Sequence, residues 1–364
     1  MRFLSAYNKL TRAEVGILLF LLLSTFRICL LPAVLSQVAG ESCVYVMLSG
    51  LAIDLVICVA ALRVAGMGGI GGLRLHPVVR RIFCGVLAFF FFFKVTVHVY
   101  EAVAYCVNDL FEQASPLLLM VVFVLTSAFL AHKGFAGIAR TGIMFMLVIV
   151  FLAVLSVFFA AFCGYGYNLW VLLRPHDVGK GLLQSMLWLG DGAIFFLADT
   201  RTSVHPERHF RWGILAFAVV AVGMLIFYLN FVFTYGSAGQ YVRFAFVRML
   251  TNGDPEELGA VDWPIMLIWL VSVPLAVATH LYAGCEGLRQ CVSRREHGGL
   301  PFLVVGTIAV MVAYYLMFPN GDGWRHLVES TAVAYTLVGV LGLCAVVAIV
   351  AAFWGRPKGQ EVRQ

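Results

Sequence analysis

Charge is scarce in this sequence. Of 364 residues, 12% are Asp, Glu, Lys or Arg, against about 25% in an average soluble chain. So few charges cannot coat a water-soluble fold of this length. Instead 62% of the residues are hydrophobic and the mean hydropathy is +0.94. The same figures exclude a disordered chain and a coiled coil. Metal-ligand spacing is missing too. None of the nine cysteines (Cys29, Cys43, Cys58, Cys84, Cys106, Cys163, Cys285, Cys291, Cys344) forms a C-x-x-C pair, and no Cys/His pattern matches a zinc site. Nine is an odd number and most lie in apolar runs, so they read as small packing residues rather than a disulfide framework. Neither a Walker A sequence nor H-E-x-x-H occurs. No cofactor and no metal is expected. The net charge of +6 is spread in the manner of a membrane topology signal, so nucleic acid is not an expected partner.

What the chain has in quantity is long apolar runs. About 20 such residues cross the hydrocarbon core of a bilayer. Ten segments qualify: 15–35, 43–62, 82–107, 116–131, 142–163, 181–198, 213–234, 263–284, 300–318 and 331–354. The short alternating strands of a transmembrane barrel do not occur. Arg2, Lys9 and Arg12 resemble the positive region of a signal peptide. The apolar run that follows starts after Glu14, exceeds a signal-peptide core in length and contains Arg27, so a retained first helix is expected.

Lysine and arginine set the orientation. With the N-terminus in the cytoplasm, eighteen of the 25 fall on the inner side. Five (Arg174, Lys180, Arg243, Arg248, Arg325) fall on the outer side, and Arg27 and Lys94 lie within the membrane. One span more or fewer would invert every later loop and spoil this asymmetry. Ten spans with both termini cytoplasmic are therefore predicted. Trp170, Trp212, Trp263, Trp324 and Trp354 agree, sitting at segment ends where an amphipathic ring favours the interface. The one sizeable loop, outer residues 235–262, carries an expected short helix (Tyr241–Leu250) and the acidic turn Asp254-Pro255-Glu256-Glu257.

Five plus five spans imply an inverted repeat, because an odd number of crossings forces the second unit to insert upside down. The expected repeats cover about 11–165 and 176–354 of a single transmembrane domain. Both repeats have an interruption in their first helix. In the first segment it is expected within the run from Ser24 to Pro32, with the site-lining break at Phe26-Arg27-Ile28-Cys29 and Pro32 freeing a carbonyl one turn earlier. In the sixth it is Leu189-Gly190-Asp191-Gly192, two glycines around a charge. Two readings stand. These are kinked helices with paired charges, or they are half-helix pairs whose free backbone groups line a binding site.

Ionisable residues within the membrane face a cavity or a partner. Here they are Arg27, Asp54, Lys94, Glu101 and Asp191, with His98 as a titratable neighbour. Lys94, His98 and Glu101 share one face of the third helix, with Lys94 and Glu101 about 10 Å apart along it. They form either a structural ion-pair network or a wall of a ligand or proton pathway, with Asp54, Lys94, Glu101 and Asp191 as candidate relay groups. Arg27 and Asp191 either neutralise each other or together fit an amino acid zwitterion, guanidinium to carboxylate and carboxylate to ammonium.

At these residues the chain resembles the spore-germination permease family. These are the multispanning B-type subunits of bacterial nutrient germinant receptors, within the amino acid–polyamine–organocation transporter superfamily. The resemblance runs over nearly the whole chain. It rests on Lys9-Leu10-Thr11 before a first helix ending Leu31-Pro32-Ala33, on Ala39-Gly40 and Ser49-Gly50-Leu51, on Leu189-Gly190-Asp191, and on acidic residues before Trp263. The chain departs from the family in having Leu189 for an aromatic, Asp191 for a glutamate, and no arginine just before Glu256. The resemblance implies a leucine-transporter-type fold with ligand held between the first, third, sixth and eighth helices. It implies a nutrient ligand, an amino acid, and two partners, a larger membrane subunit and a lipoprotein, in the spore inner membrane. The alternative is a proton-coupled amino acid permease. The superfamily's fifth-helix lysine does not carry over, because none lies between Gly142 and Cys163. For a sodium site the eighth helix offers Ser272. The expected ligand site is thus Phe26, Arg27, Ile28, Cys29, Lys94, His98, Gly190, Asp191, Gly192 and Ser272.

Two motifs carry less. Gly66-Met67-Gly68-Gly69-Ile70-Gly71 matches G-x-G-x-x-G but lacks the strand–turn–helix context of a dinucleotide site and reads as a cytoplasmic hinge. Gly236-Ser237-Ala238-Gly239 resembles a serine-hydrolase turn without an evident histidine base. The chain is not expected to be an enzyme. In a cysteine-free background, single cysteines at positions 253 and 298 should label from outside and from inside respectively. Labelling of both from one side would contradict the ten-span topology.

Overall fold

A computed structural model describes residues 10–73, 75–110, 113–146, 150, 177–198, 206–242, 244–245, 249, 262–292, 299–317 and 330–354. Both termini, the fifth segment beyond Met146 apart from residue 150, Leu250 and the acidic turn at 254–257 lie outside the described residues, as does the junction between the expected repeats.

Helix α1 (Arg12–Cys29) opens on a capping box. Thr11 Oγ1 accepts from the Glu14 amide, and the Glu14 carboxylate accepts from the Thr11 amide at 2.7 Å. Glu14 also takes a bond from Arg140 Nε at 2.8 Å, which ties this end to α6 (Gly134–Met146). Helix α1 stops at Leu30 (φ −118°), and α2 (Leu31–Ala39) continues with Pro32 in its first turn. The interruption is therefore at Leu30, just past the expected Phe26–Cys29. The cause is Pro32: it has no N–H to give the carbonyl of Ile28, so strain collects between them. After Gly40, at φ +53°, the chain turns into α3 (Cys43–Gly66). Prolines open α4 (Pro77–Tyr105) and α5 (Pro116–His132), where a missing N–H costs nothing. Between α5 and α6 the chain bends by 112°.

The sixth segment is broken more deeply. Helix α7 (Val178–Ser185) gives way to a 3-10 turn at Met186–Trp188, then to extended Leu189 and left-handed Gly190 at φ +83°. A second 3-10 turn follows at Asp191–Phe196. A side chain at 190 would be strained by that φ, and its Cβ would also run into Leu341 and Phe90. Helices α8 (Pro206–Tyr235), α9 (Asp262–Val292), α10 (Leu300–Met317) and α11 (Thr331–Trp354) complete the chain.

Leu31–Gly66, Pro77–Asn108, His209–Tyr241 and Leu300–Met317 are each long and apolar enough to cross a bilayer, and α5 with α6 meets the same test as a bent pair. The first and sixth segments fall short because they are interrupted, and the tenth is apolar over the shorter Thr331–Val347. Among the described residues, helix is present in all ten expected segments, while the number of crossings rests on the lysine and arginine pattern. Side chains such as Phe89, Leu118, Phe129, Val219 and Leu316 stand exposed on the outer faces, as lipid requires and water would not tolerate.

Packing follows the repeat. Helix α1 packs on α8, and the corresponding turn Asp191–Phe196 packs on α3. Helix α5 packs on α9 as α10 packs on α4, and α4 on α5 as α9 on α10. Exchanging first with sixth, second with seventh, third with eighth and fourth with ninth segments turns each contact into another that is present. An inverted pair of five-helix units has this property. The α4–α9 contact, the most extensive, lies at the centre of the exchange.

The expected hinge at Gly66–Gly71 is held rather than loose. Gly69 sits at φ +66°, with room for a Cβ denied by Ala198 O at 2.7 Å and Phe196 O at 2.9 Å. Gly192 lies against the backbone of α3, where a Cβ would meet Cys58 Cα at 3.1 Å. A valine at 192 should therefore destabilise the fold by about 1–3 kcal/mol. Gly223→Ala, which meets open space within α8, should be neutral or stabilise by about 0.5–1 kcal/mol. Thermal unfolding of the purified protein in detergent checks both.

Candidate functional site

The break in the sixth segment leaves a carbonyl on Leu189 and an amide on Gly190 without helical partners, at a depth where water is not available to replace them. Both are met by charged side chains. Lys94 Nζ of α4 donates to Leu189 O at 2.8 Å, and Gly190 N–H donates to Asp54 Oδ1 of α3 at 2.6 Å. These charges in turn need counter-charges. Lys94 also donates to Asp191 Oδ1, and Arg27 Nη1 donates to Asp54 Oδ2. Arg27 Nη2 reaches Asp191 Oδ2 at 2.7 Å. One guanidinium thus bridges the two carboxylates and joins the broken first and sixth segments to each other and to the second. All four side chains are buried, between 0% and 4% exposed.

The break in the first segment is served similarly. Tyr228 Oη of α8 donates to the carbonyl of Arg27 at 3.2 Å, in the turn that Pro32 disturbs. A further member joins from α9. His280 lies with Nε2 3.0 Å from Asp191 Oδ1 and Nδ1 2.9 Å from Ala276 O. Asp191 therefore receives Arg27, Lys94 and His280, from three different segments. Aromatic rings wall the cluster. His98 stacks on Phe26, centroids 4.0 Å apart, and is flanked by Trp188 at 5.7 Å and edge-on by His280 at 4.9 Å. Lys94 Nζ stands 5.1 Å from the centre of the Phe90 ring. Two nitrogens inside this wall, Arg27 Nε and His98 Nδ1, have no hydrogen-bond partner among the described residues.

Of the residues singled out from the sequence, Phe26, Arg27, Asp54, Lys94, His98, Gly190 and Asp191 come together here. Gly192 does not line the cluster but packs on Cys58, and Ile28 packs into the surrounding core. The side chain of Cys29 lies outside the description. Glu101 is half-buried, two turns along α4 from Lys94. Ser272 is buried, eight residues and about 12 Å of helix from His280. The phenylalanine run divides: Phe89 faces outward at 67% exposure, while Phe90 and Phe91 fill the bundle. His280 was not singled out from the sequence. Its signal was the one that marks the others, a titratable residue inside an apolar segment. Among the described residues, no group of three His, Cys, Asp or Glu side chains is placed to hold a metal ion.

No protein-family model matches the chain, and no curated protein is similar to it in sequence. Solved structures do resemble it. A Na+-coupled sialic acid symporter, substrate-bound and outward-open, matches with a TM-score of 0.63 and 11% identity, over 99% of this chain and 93% of that one. MhsT in complex with L-phenylalanine matches with a TM-score of 0.61 and 15% identity, over 96% and 90%. The manganese transporter of Eremococcus coleocola matches with a TM-score of 0.59 and 12% identity, over 97% and 81%. The likeness is one of fold: an all-α integral membrane protein of the leucine-transporter type.

Removing one partner from a buried charge set leaves the others uncompensated, at a cost of about 3–5 kcal/mol. Asp191→Asn, which strips the counter-charge from Lys94 and Arg27, should cost stability on that scale. Adding Lys94→Met to it should recover part of the loss, because Arg27 and Asp54 remain as a neutral pair. Denaturation midpoints of the two variants in detergent make the comparison; equal or lower stability of the double variant would contradict the charge pairing.

Proposed function

We propose that this chain binds a small nutrient, an amino acid, at mid-membrane between the breaks of the first and sixth segments, and that binding biases a rocking motion of the two repeats. The observation that carries the reading is the Arg27–Asp191 pair, which holds the two broken segments together. An amino acid zwitterion offers the same two charges in the same sense. Its carboxylate suits the Arg27 fork and its ammonium suits Asp191. Entry of the ligand exchanges one ion pair for two, and it parts the first segment from the sixth. The ligand then distinguishes a state in which Arg27 touches Asp191 from one in which it does not. It can shift the balance only by its difference in affinity between them. Phe26, Lys94, His98 and Gly190 supply the surroundings, with Ser272 further along α9. The chain acts as one transmembrane unit with repeats of about 11–165 and 176–354. A metal cation as cargo fits less well, since Arg27 places a permanent positive charge at the centre.

The resemblance to the spore-germination permeases favours one use of this binding, as the membrane subunit of a nutrient germinant receptor in the spore inner membrane. A larger membrane subunit and a lipoprotein would be its partners, and both termini would face the cytoplasm. Support comes from Asp191, which stands where that family has its glutamate and is also the hub of the cluster. The rival reading is a proton-coupled amino acid permease that works alone. The receptor reading expects the protein, reconstituted alone in liposomes, to bind a labelled amino acid without accumulating it under a proton gradient. It also expects spores of a deletion strain to fail to germinate on that amino acid. Gradient-driven accumulation with normal germination would establish the permease instead, and failure to bind any amino acid would overturn both.

A further inference from the structure

His280 stands between two hydrogen-bond acceptors. Its Nδ1 is 2.9 Å from the carbonyl of Ala276, and its Nε2 is 3.0 Å from Asp191 Oδ1. A backbone carbonyl can only accept, so the hydrogen of that first contact belongs to Nδ1. Nε2 then faces a carboxylate oxygen, and two lone pairs at this distance repel. A proton has to lie between them, carried on the nitrogen as imidazolium or on the oxygen as carboxylic acid.

Charge counting leads to the same proton. Arg27 is permanently charged and faces two carboxylates, Asp54 and Asp191. One more positive charge makes the buried set neutral, while a second leaves it charged in hydrocarbon, which is costly. Two bases are present for that one charge, Lys94 and His280, and both contact the same oxygen, Asp191 Oδ1. Lys94 has two acceptors, Leu189 O and Asp191 Oδ1, and a neutral amine with two N–H groups satisfies both as well as an ammonium does.

We propose that the His280–Asp191 contact holds one labile proton, for which Lys94 competes, and that this proton leaves when an ammonium group takes over Asp191. The last step rests on the solute-binding reading; the proton itself does not. In that step the ligand ammonium replaces His280 as donor to Asp191. The Nε2–H bond breaks, the proton passes to bulk water, and His280 remains as a neutral ring with its Nδ1–H on Ala276.

The surroundings of His280 contain the groups that tune this proton. From α4 come Lys94 and His98, with the Phe91 ring at 5.9 Å. From the sixth segment comes Asp191, and from α1 Arg27, linked through Asp191. The titratable residue of α5 is His132, which lines a shallow cleft beside Glu286. On α10, Tyr314 packs against Tyr100 and Tyr315 stands exposed, and on α9 itself Glu286 is occupied by Arg289, at 2.5 Å. The ion-paired neighbours that act directly on the shared oxygen are Lys94 and Arg27.

Nitrogen-15 NMR of the full-length protein in lipid nanodiscs tests the proton without any ligand. Thr279-His280 is the one Thr–His pair in the sequence. Carbon-13 carbonyl labelling of threonine with nitrogen-15 labelling of histidine therefore singles out His280 in the wild-type protein. The expected result at pH 7 is protonated Nδ1 with Nε2 either protonated or bonded to a protonated Asp191 carboxyl. Bare Nε2 beside an ionised Asp191 would overturn the proposal. In Lys94→Met the competitor is gone, and the pH at which His280 loses its proton should rise by roughly 1–3 units; an unchanged midpoint would remove Lys94 from the competition. The twenty proteinogenic L-amino acids, added one at a time to weakly buffered protein, test the last step. Binding accompanied by release of about one proton supports it, and binding with none overturns it. If none binds while the NMR shows the proton, the solute reading fails and the proton site stands.

Discussion

An unwound peptide in hydrocarbon sets the terms for everything around it. Where the sixth segment opens at Leu189 and Gly190, one carbonyl and one amide lose their helical partners, and the bilayer offers no water in exchange. Lys94 and Asp54 fill those two roles, but each brings a charge that is worse than the group it satisfies unless it too is paired. Asp191 and Arg27 complete the set. The polar core is thus a chain of obligations that starts from the backbone, and its members come from four segments because no single helix presents so many groups to one point. Tyr228 and His280 extend it into the seventh and eighth.

The cost of the cluster explains its compactness. A charge buried without a partner is expensive, yet a buried pair contributes little beyond what well-packed apolar residues would. Selection for stability alone would not retain four charges at this depth. On the proposed reading, what they supply is exchangeability. A hydrophobic core of the same volume has one good packing, whereas ion pairs can be broken and remade with a ligand that carries like groups. The aromatic wall of Phe26, His98 and Trp188 packs over the cluster, and a dry setting strengthens each charge interaction inside it.

Much of the fold was legible because a bilayer imposes its length and polarity on sequence so directly. Apolar runs located the helices. Pro32 and the glycines around Asp191 marked both breaks, though the first was placed a few residues early, at the charged Arg27 rather than at Leu30 where the missing proline amide takes effect. The pairing of charges was not legible. Sequence separates Arg27 from Asp191 by 164 residues, and nothing in spacing reveals that one guanidinium bridges two carboxylates. His280 stayed hidden because an apolar segment with a single histidine reads as a packing helix. Gly69 was misjudged as a hinge, since a glycine needed for close approach and one needed for freedom look the same on the page.

The cluster also has an order in time. Membrane helices enter the bilayer as they are made, and Arg27 and Asp54 emerge within the first two, where they can neutralise each other as a helical hairpin before anything else is in place. Lys94 follows on the third and has no carboxylate of its own until the sixth arrives. For the span of chain between them, this lysine must wait at the interface, in the translocation channel or beside the finished pair. Biogenesis therefore has a vulnerable interval that the completed structure conceals. Its length is set by the distance in sequence between a base and the acid that was always meant for it.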